Sequence, residues 1–506
     1  MQTRIWNIPS LALQLPHWLH KRLQSLHFLG SATLGKSEAT LWLLAGALGF
    51  HAAYVTPAGG SWLLLTYLAL VQLTRLKPGR SSFLIGCLFG FTLVAPQLNF
   101  FFNIFSWAAV PLWVVLSFWF GLFLWLGCHM RRQFTAWAFV LTLPLVWMGI
   151  EYFRSELYYL RFSWLSAGFT MGLHLPGGLL QVFGVYGLGM MLMLLACLLS
   201  LLRREAMLVV TALVMLAFSA STRDWSLPTK FSQRKPVHSV AVTGLQLEFP
   251  TEGEVIRGLN ELLVKQPDAE LIMLSEYTFS GDVPAKVREW CQLNQKYLVA
   301  GGKAATTNGA YYNTAFVIGP GGKTVFQQAK KVPIQFFDDG LPAEQQALWE
   351  SPWGRLGICI CYDLSFSRVV DELVRQGAQG ILVPTMDVIS WGEYQHQLHA
   401  RVAPVRAMEH GVPILRVASS GVSQLVDSKG RVMASTSVPG DGDIFGGRLI
   451  LVTQGSQPID RHIAPAASAA TPLIGLLAVM LSRRKAAHGT KTSKAARHRE
   501  QNLLSI

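Results

Sequence analysis

Between residues 39 and 220 the apolar positions gather into long runs, each near the twenty or so residues that cross a bilayer as a helix, and short basic clusters separate them. The runs predict transmembrane helices at 39–56, 61–76, 81–104, 108–129, 133–152, 178–202, 205–220 and 464–482, the second and seventh being short. So repeated a pattern is not one cleavable signal peptide, and the first forty residues lack the charged, apolar and small-residue order of one. From Val237 to about Thr453 the pattern changes to short β-rich runs alternating with amphipathic stretches: SVAVTGLQ, ELIMLSE, KYLVAGG, NTAFVIG, RLGICICYD, GILVPT, VPILRVASS and SQLVDSKG. That alternation predicts an α/β domain, and periodicity alone leaves a doubly wound sheet and a four-layer αββα sandwich both open. The expected organisation is a cytoplasmic segment 1–38, seven helices in 39–220, an exported α/β domain 221–463, a last helix 464–482 and a basic cytoplasmic tail 483–506. Gly319-Pro-Gly-Gly322 reads as a hairpin turn, because no Walker lysine and serine follow it.

Composition agrees with a membrane protein carrying a soluble domain: 51% of residues are hydrophobic and 14% charged. The basic clusters set the orientation. Arg75, Lys77 and Arg80, then Arg131 and Arg132, then Arg203 and Arg204, and finally Arg483, Arg484 and Lys485 all fall on one side of the predicted helices. That side is cytoplasmic by the positive-inside rule, so both termini lie inside and the α/β domain outside. These loops and the tail explain most of the net charge of +14. The tail suits anionic lipid headgroups, and no base-reading module accompanies it, so no nucleic-acid partner is expected. The loop from Glu151 to Pro176 is aromatic and charged, with Arg154, Glu156 and Arg161. It reads either as an interfacial aromatic belt or, through Trp164 and Phe169, as one wall of a lipid entrance.

Candidate chemistry centres on Arg355-Leu-Gly-Ile-Cys-Ile-Cys-Tyr-Asp363, where a strand ends in a cysteine followed by an aromatic and a carboxylate. Ser365–Gln376 has the pattern of a capped amphipathic helix, which would set Cys361 near a helix N-terminus that favours the thiolate. Glu276 closes another strand-like run and Lys330 precedes the cysteine strand. A carboxylate can serve as general base and an ammonium can stabilise an oxyanion, so Glu276, Lys330 and Cys361 divide the labour of nucleophilic acyl transfer. The six cysteines are too few for a disulfide framework, and Cys359 and Cys361, two apart on one strand, cannot bridge well. His396 and His399 lack a convincing third ligand, so neither metal nor cofactor is expected.

In this order, Glu, Lys, then Cys-aromatic-carboxylate, the chain resembles the nitrilase (carbon-nitrogen hydrolase) superfamily, and within it the apolipoprotein N-acyltransferase family. Lys330 with Pro333, Phe336 and Asp338 is similar to the family's Lys-x-x-Leu-Val-Pro-Phe-x-Glu run, with the proline early and Asp338 where the second Glu stands. Gln395-His396, Ala400-Arg401, Arg406-Ala407, Glu409, Pro413, Arg416 and Gly421-x-Ser423 follow the family's landmarks in order. Thr385-Met-Asp387 departs from its Asn-Asp, Ser420 from its Asn, and the intervals 276–330 and 330–361 are short.

The resemblance implies the αββα sandwich, a bacterial inner membrane with that domain on its periplasmic side, and a ping-pong reaction. A phospholipid would acylate Cys361, and the α-amine of a lipoprotein's N-terminal diacylglyceryl-cysteine would take the acyl group. It also implies supporting roles for Tyr362, through its backbone N–H, for Asp363 and for Asp338, although core packing or a solvated loop fits these residues too. Trp391 and Tyr394 join Trp164 and Phe169 as candidates for lipid access. A membrane-tethered amidase acting on a small amide is the alternative, because the same three residues serve both reactions.

Overall fold

The computed structural model describes residues 33–56, 59–172, 177–220 and 236–503. Most of the 1–38 segment, the loop end at Pro176, the first residues of the expected 221–463 domain and the last three of the tail lie outside the described residues. Helices stand at each predicted stretch: Lys36–Val55, Leu63–Leu73, Arg80–Gln97, Ala109–Gln133, Ala136–Tyr152, Gly177–Leu199, Arg204–Ala220 and Asp460–Leu503. Among the described residues, four segments are long and apolar enough to cross a membrane, namely Phe101–Gln133, Ala136–Leu157, Gly178–Leu199 and Asp460–Arg484. The expected count of about eight exceeds these four; Leu63–Leu73, for one, is apolar but only 11 residues long. The last helix also does not stop at 482 but continues for 44 residues in all, so helical backbone includes most of the expected tail.

Arg80–Gln97 and Ala109–Gln133 pack closely because small residues line the seam: a Cβ on Gly86 would come within 2.8 Å of the Gly121 Cα. Basic loops cluster at one end of the bundle. There Arg75 pairs with Glu38 at 2.7 Å, Arg131 reaches the Thr74 hydroxyl at 3.2 Å, and His129 meets Ser482 at 3.0 Å.

The opposite end is capped by the α/β domain. Two six-stranded sheets lie face to face, in the orders β12-β1-β2-β3-β4-β5 and β11-β10-β9-β8-β7-β6. The strands of the first are β1 Pro236–Leu247, β2 Leu271–Met273, β3 Tyr297–Ala305, β4 Tyr311–Ile318, β5 Thr324–Ala329 and β12 Asp441–Val452. The second holds β6 Leu348–Ser351, β7 Gly354–Ile358, β8 Gly380–Thr385, β9 Ile414–Ala418, β10 Gln424–Val426 and β11 Val432–Ser435. In each, three neighbouring strands run parallel: β1, β2 and β3, and β7, β8 and β9. Their apolar residues, among them Val242, Met273, Ile358, Val383 and Leu415, form the shared core. Helices Glu252–Lys265 and Ala285–Asn294 cover the first sheet through Leu259, Leu262, Val287 and Trp290, and Leu373 of Ser367–Gln376 packs on Gly357 of the second. This is the four-layer αββα arrangement.

One break in the bundle fixes the two halves together. Gly177–Leu199 is interrupted at Gly184, whose φ of +72° suits glycine. The N–H groups freed beyond the break are taken by carboxylates: Val185 donates to Glu409 at 2.8 Å and Tyr186 to Asp460 at 2.9 Å. Glu409 belongs to the α/β domain and Asp460 opens the last helix, so one helix break ties three parts of the chain.

Candidate active site

Parallel strands deliver the reactive groups at their C-terminal ends, the usual site edge of such sheets. Glu276 follows β2, Cys361 follows β7 and Met386-Asp387 follows β8. All three predicted residues Glu276, Lys330 and Cys361 are buried. Lys330 Nζ lies 2.9 Å from Glu276 Oε1, and Asn313 Nδ2 donates to the same oxygen at 2.6 Å. The Met386 peptide links acid and thiol: its N–H donates to Glu276 Oε2 at 2.8 Å, while its carbonyl faces Cys361 Sγ at 3.6 Å. Cys361 sits at φ +52°, a left-handed conformation costly for a non-glycine residue, and Tyr277 beside Glu276 is at +53°.

The helix that was expected to favour the thiolate begins only at Ser367; Cys361 instead opens a 3-10 turn, Cys361–Ser365. Burial first, then the Glu276 carboxylate, push its thiol well above the ordinary cysteine value, against the pull of Lys330. This environment favours the protonated thiol over the thiolate. Glu276 is raised as well, by burial. Burial works against the Lys330 ammonium, but Glu276 and Asp339 overcome it and hold its pKa well above that of a free lysine.

The acid beside Lys330 corrects the expectation for Asp338. Asp338 is exposed, whereas Asp339 is buried, lies 2.7 Å from Lys330 Nζ, and accepts from Tyr277 Oη and Asn313 Nδ2, both at 2.8 Å. The loop turns through Phe336 at φ +70°, and the Ile334 N–H also binds Asp339, so the second acid of the doublet is the one that points inward. Burial would raise Asp339, yet Lys330 holds it below the ordinary aspartate value. Asp363 serves the backbone: it accepts the N–H groups of Lys331, Val332 and Ile360 at 3.0, 2.7 and 3.2 Å, locking the lysine loop to the cysteine turn. Burial pushes its carboxyl up to about 6.

A second buried network is built on Asp387, which the sequence marks only as a departure from the family pattern, although Gln395 and Arg416 stand among the family's landmarks. Asp387 accepts from His399 Nδ1 at 2.8 Å, Gln395 at 3.1 Å and Arg416 at 2.5 Å. Burial opposes this charge, but His399 and Arg416 hold the carboxyl below its ordinary range. Asp387 directly follows Met386, so it braces the peptide that bridges Glu276 and Cys361. Among the described residues no group of three or more His, Cys, Asp and Glu is placed to hold a metal.

An apolar cleft opens beside the turn that bears Cys361. Its walls come from the bundle (Phe101, Phe105, Leu116), the 151–172 loop (Phe162, Trp164), the lysine loop (Phe336, Phe337) and the catalytic domain (Tyr362, Trp391). Of the lipid-access candidates, Trp164 and Trp391 line it. Trp164 also stacks on His399, with ring centroids 4.7 Å apart, and donates to Ser365 Oγ at 2.8 Å. Phe169 and Tyr394 do not line it: Phe169 is buried under Arg406, 5.1 Å from its ring, and Tyr394 donates its hydroxyl to Gln97. The Tyr362 hydroxyl donates to the Arg161 carbonyl at 2.9 Å.

Residues 29–198 match the apolipoprotein N-acyltransferase N-terminal domain and residues 256–442 the carbon-nitrogen hydrolase family. An apolipoprotein N-acyltransferase of Pseudomonas paraeruginosa is 25% identical over 87% of this chain and 85% of its own. The chain belongs to the apolipoprotein N-acyltransferase family, within the nitrilase superfamily. A relative of that name from Geobacter metallireducens is 23% identical, over 59% of this chain and 66% of its own length. One from Nitrosomonas europaea is 25% identical over 60% of this chain and 67% of its own. Among solved structures, the Saccharomyces cerevisiae nitrilase-superfamily member Nit3 aligns with a TM-score of 0.37 at 18% identity, over 48% of this chain and 97% of its own. The two family models between them match both halves of the chain.

Proposed function

We propose that this protein transfers an acyl chain from a phospholipid to the N-terminal diacylglyceryl-cysteine of lipoproteins, through a thioester on Cys361. The observation that carries this reading is the aromatic cleft between the membrane helices and the catalytic domain, whose wall residue Tyr362 is the neighbour of Cys361. A cleft so apolar suits an acyl chain, and its opening among membrane helices suits a substrate that arrives from the bilayer.

In the first half-reaction Glu276 takes the Cys361 proton as Sγ attacks the ester carbonyl, forming the C–S bond. Burial favours the protonated acid and so makes Glu276 a stronger base. Lys330, kept charged by Glu276 and Asp339, faces the developing oxyanion together with the backbone N–H of Tyr362. The ester C–O bond then breaks, Glu276 returns the proton to the leaving oxygen, and a lysophospholipid departs. In the second half-reaction the acceptor's α-amine attacks the thioester and gives its proton to Glu276; the C–N bond forms, the C–S bond breaks, and the sulfur is reprotonated. The closed aromatic walls disfavour water as a competing nucleophile.

Incubating the purified protein with phospholipid alone, then measuring its intact mass, tests the first half-reaction. The expected result is one acyl adduct on Cys361 that is lost on adding a diacylglyceryl-cysteine peptide, with matching N-acylation of the peptide. Hydrolysis of a small soluble amide with no adduct from any phospholipid would establish the amidase alternative.

A further inference from the structure

Two arginines near Phe366, one of them in the cleft wall, have no part in this reaction scheme. The guanidinium groups of Arg161 and Arg368 both lie over the ring of Phe366, 5.5 and 5.7 Å from its centroid. Arg161 lines the cleft, and its Nε, closed off from solvent, has no hydrogen-bond partner among the described residues. Arg368 reaches Glu156 Oε2 only at 3.8 Å, and that oxygen has no hydrogen-bond partner among the described residues, whereas Oε1 accepts the Tyr186 hydroxyl and the Ser367 N–H, each at 2.8 Å. Two like charges thus lie by one aromatic ring, with the Glu156 carboxylate, 3.8 Å from Arg368, as the near counter-charge. The ring attracts both cations, but their mutual repulsion remains. Burial first, and Arg368 next, lower the Arg161 pKa below the ordinary arginine value.

An anion between the two guanidinium groups would relieve the repulsion and satisfy the orphaned donor; a phosphate, with its paired oxygens, matches their fork geometry. The position is apt, because the Arg161 carbonyl is held by the hydroxyl of Tyr362, the residue next to Cys361. We propose that Arg161 and Arg368 form a phosphate site at the edge of the acyl cleft, which grips the phosphodiester of the donor lipid and presents its ester carbonyl to Cys361. The proposal rests on the acyltransferase reading above. Free phosphate offers the same chemistry, so the test must separate the two sources.

The test is single-turnover acylation of Cys361 in the full-length protein in neutral detergent, followed by intact mass. Two donors are compared: a phosphatidylglycerol and the phosphate-free p-nitrophenyl palmitate. For Arg161→Gln, and more so for Arg161→Gln with Arg368→Gln, the ratio of phospholipid to nitrophenyl-ester rates should fall about ten- to hundredfold, with Arg161→Lys recovering part of it. Inorganic phosphate should slow wild-type acylation by the phospholipid more than by the nitrophenyl ester. An equal loss on both donors would make the arginines structural and overturn the site. An unchanged ratio with loss of phosphate inhibition would assign the site to free phosphate and overturn the lipid assignment. Wild-type protein that accepts only the nitrophenyl ester would remove the acyltransferase reading and the site with it, whereas intact wild-type transfer with an unchanged ratio removes the site alone.

Discussion

At the scale of single residues, the proposed reaction separates groups that react from groups that hold them. Cys361→Ser should remain folded yet lose acylation by at least about a thousandfold, because the alcohol is a far weaker nucleophile, while Cys359→Ser should keep most activity. Intact mass after exposure to phospholipid reads both. Asp339→Asn should cut the acylation rate on the order of ten- to a hundredfold by loosening Lys330, whereas Asp338→Asn, at an exposed position, should change it less than about twofold. Equal effects at the two positions would refute the assignment of the inward acid. Asp363 gives a pH signature. Its carboxyl, raised to about 6, is ionised above that pH and accepts three N–H groups; as pH falls through 6 it protonates and loses acceptor capacity. Acylation should therefore decline on the acid side with a midpoint near 6, and Asp363→Asn should be slow throughout with that limb gone. A limb that survives in Asp363→Asn would belong to Glu276, which burial also raises.

Elements explain why some of this was legible in the sequence and some was not. Glu276, Lys330 and Cys361 stand at or next to strand ends, where β-rich runs stop abruptly at a charged or nucleophilic residue, and that signal survives in one dimension. Asp339 does not announce itself, since in an Asp-Asp doublet only the turn at Phe336 decides which carboxylate faces inward. Asp387 lay hidden because its partners, Gln395, His399 and Arg416, come from one helix and one strand that only the fold brings together. The strands β5, β6, β11 and β12 were overlooked because most are short or half exposed, with weak alternation. The helix break is a further case in which tertiary contacts govern. A Cβ on Gly184 would come within 2.2 Å of the Asp460 carboxylate, and the φ of +72° is itself unfavourable for alanine. Gly184→Ala should destabilise the protein by roughly 2–4 kcal/mol, seen as a lower melting temperature in detergent. An unchanged melting temperature would mean that the break tolerates displacement of the last helix.

For the whole molecule, the basic loops and the catalytic domain lie at opposite ends of the bundle. Cysteine labelling in cells should accordingly report a residue near Lys286 outside, and residues near Arg131, Arg203 and Lys485 inside. A shared side for Lys286 and Arg203 would overturn the orientation. The two halves are also harder to separate than their sequence patterns suggest. The turn that bears Cys361 is covered from the membrane side, since Ser163 and Trp164 donate to Ser365, Glu156 accepts from Ser367, and Tyr362 leans on Arg161. Excising residues 236–459 as a soluble enzyme would strip that cover, leaving the Glu409 carboxylate without the Val185 N–H and the aromatic wall facing water. Such a fragment should aggregate or lose its nucleophile's geometry; what reads in sequence as a hydrolase fastened to an anchor is a catalyst whose lid is the anchor.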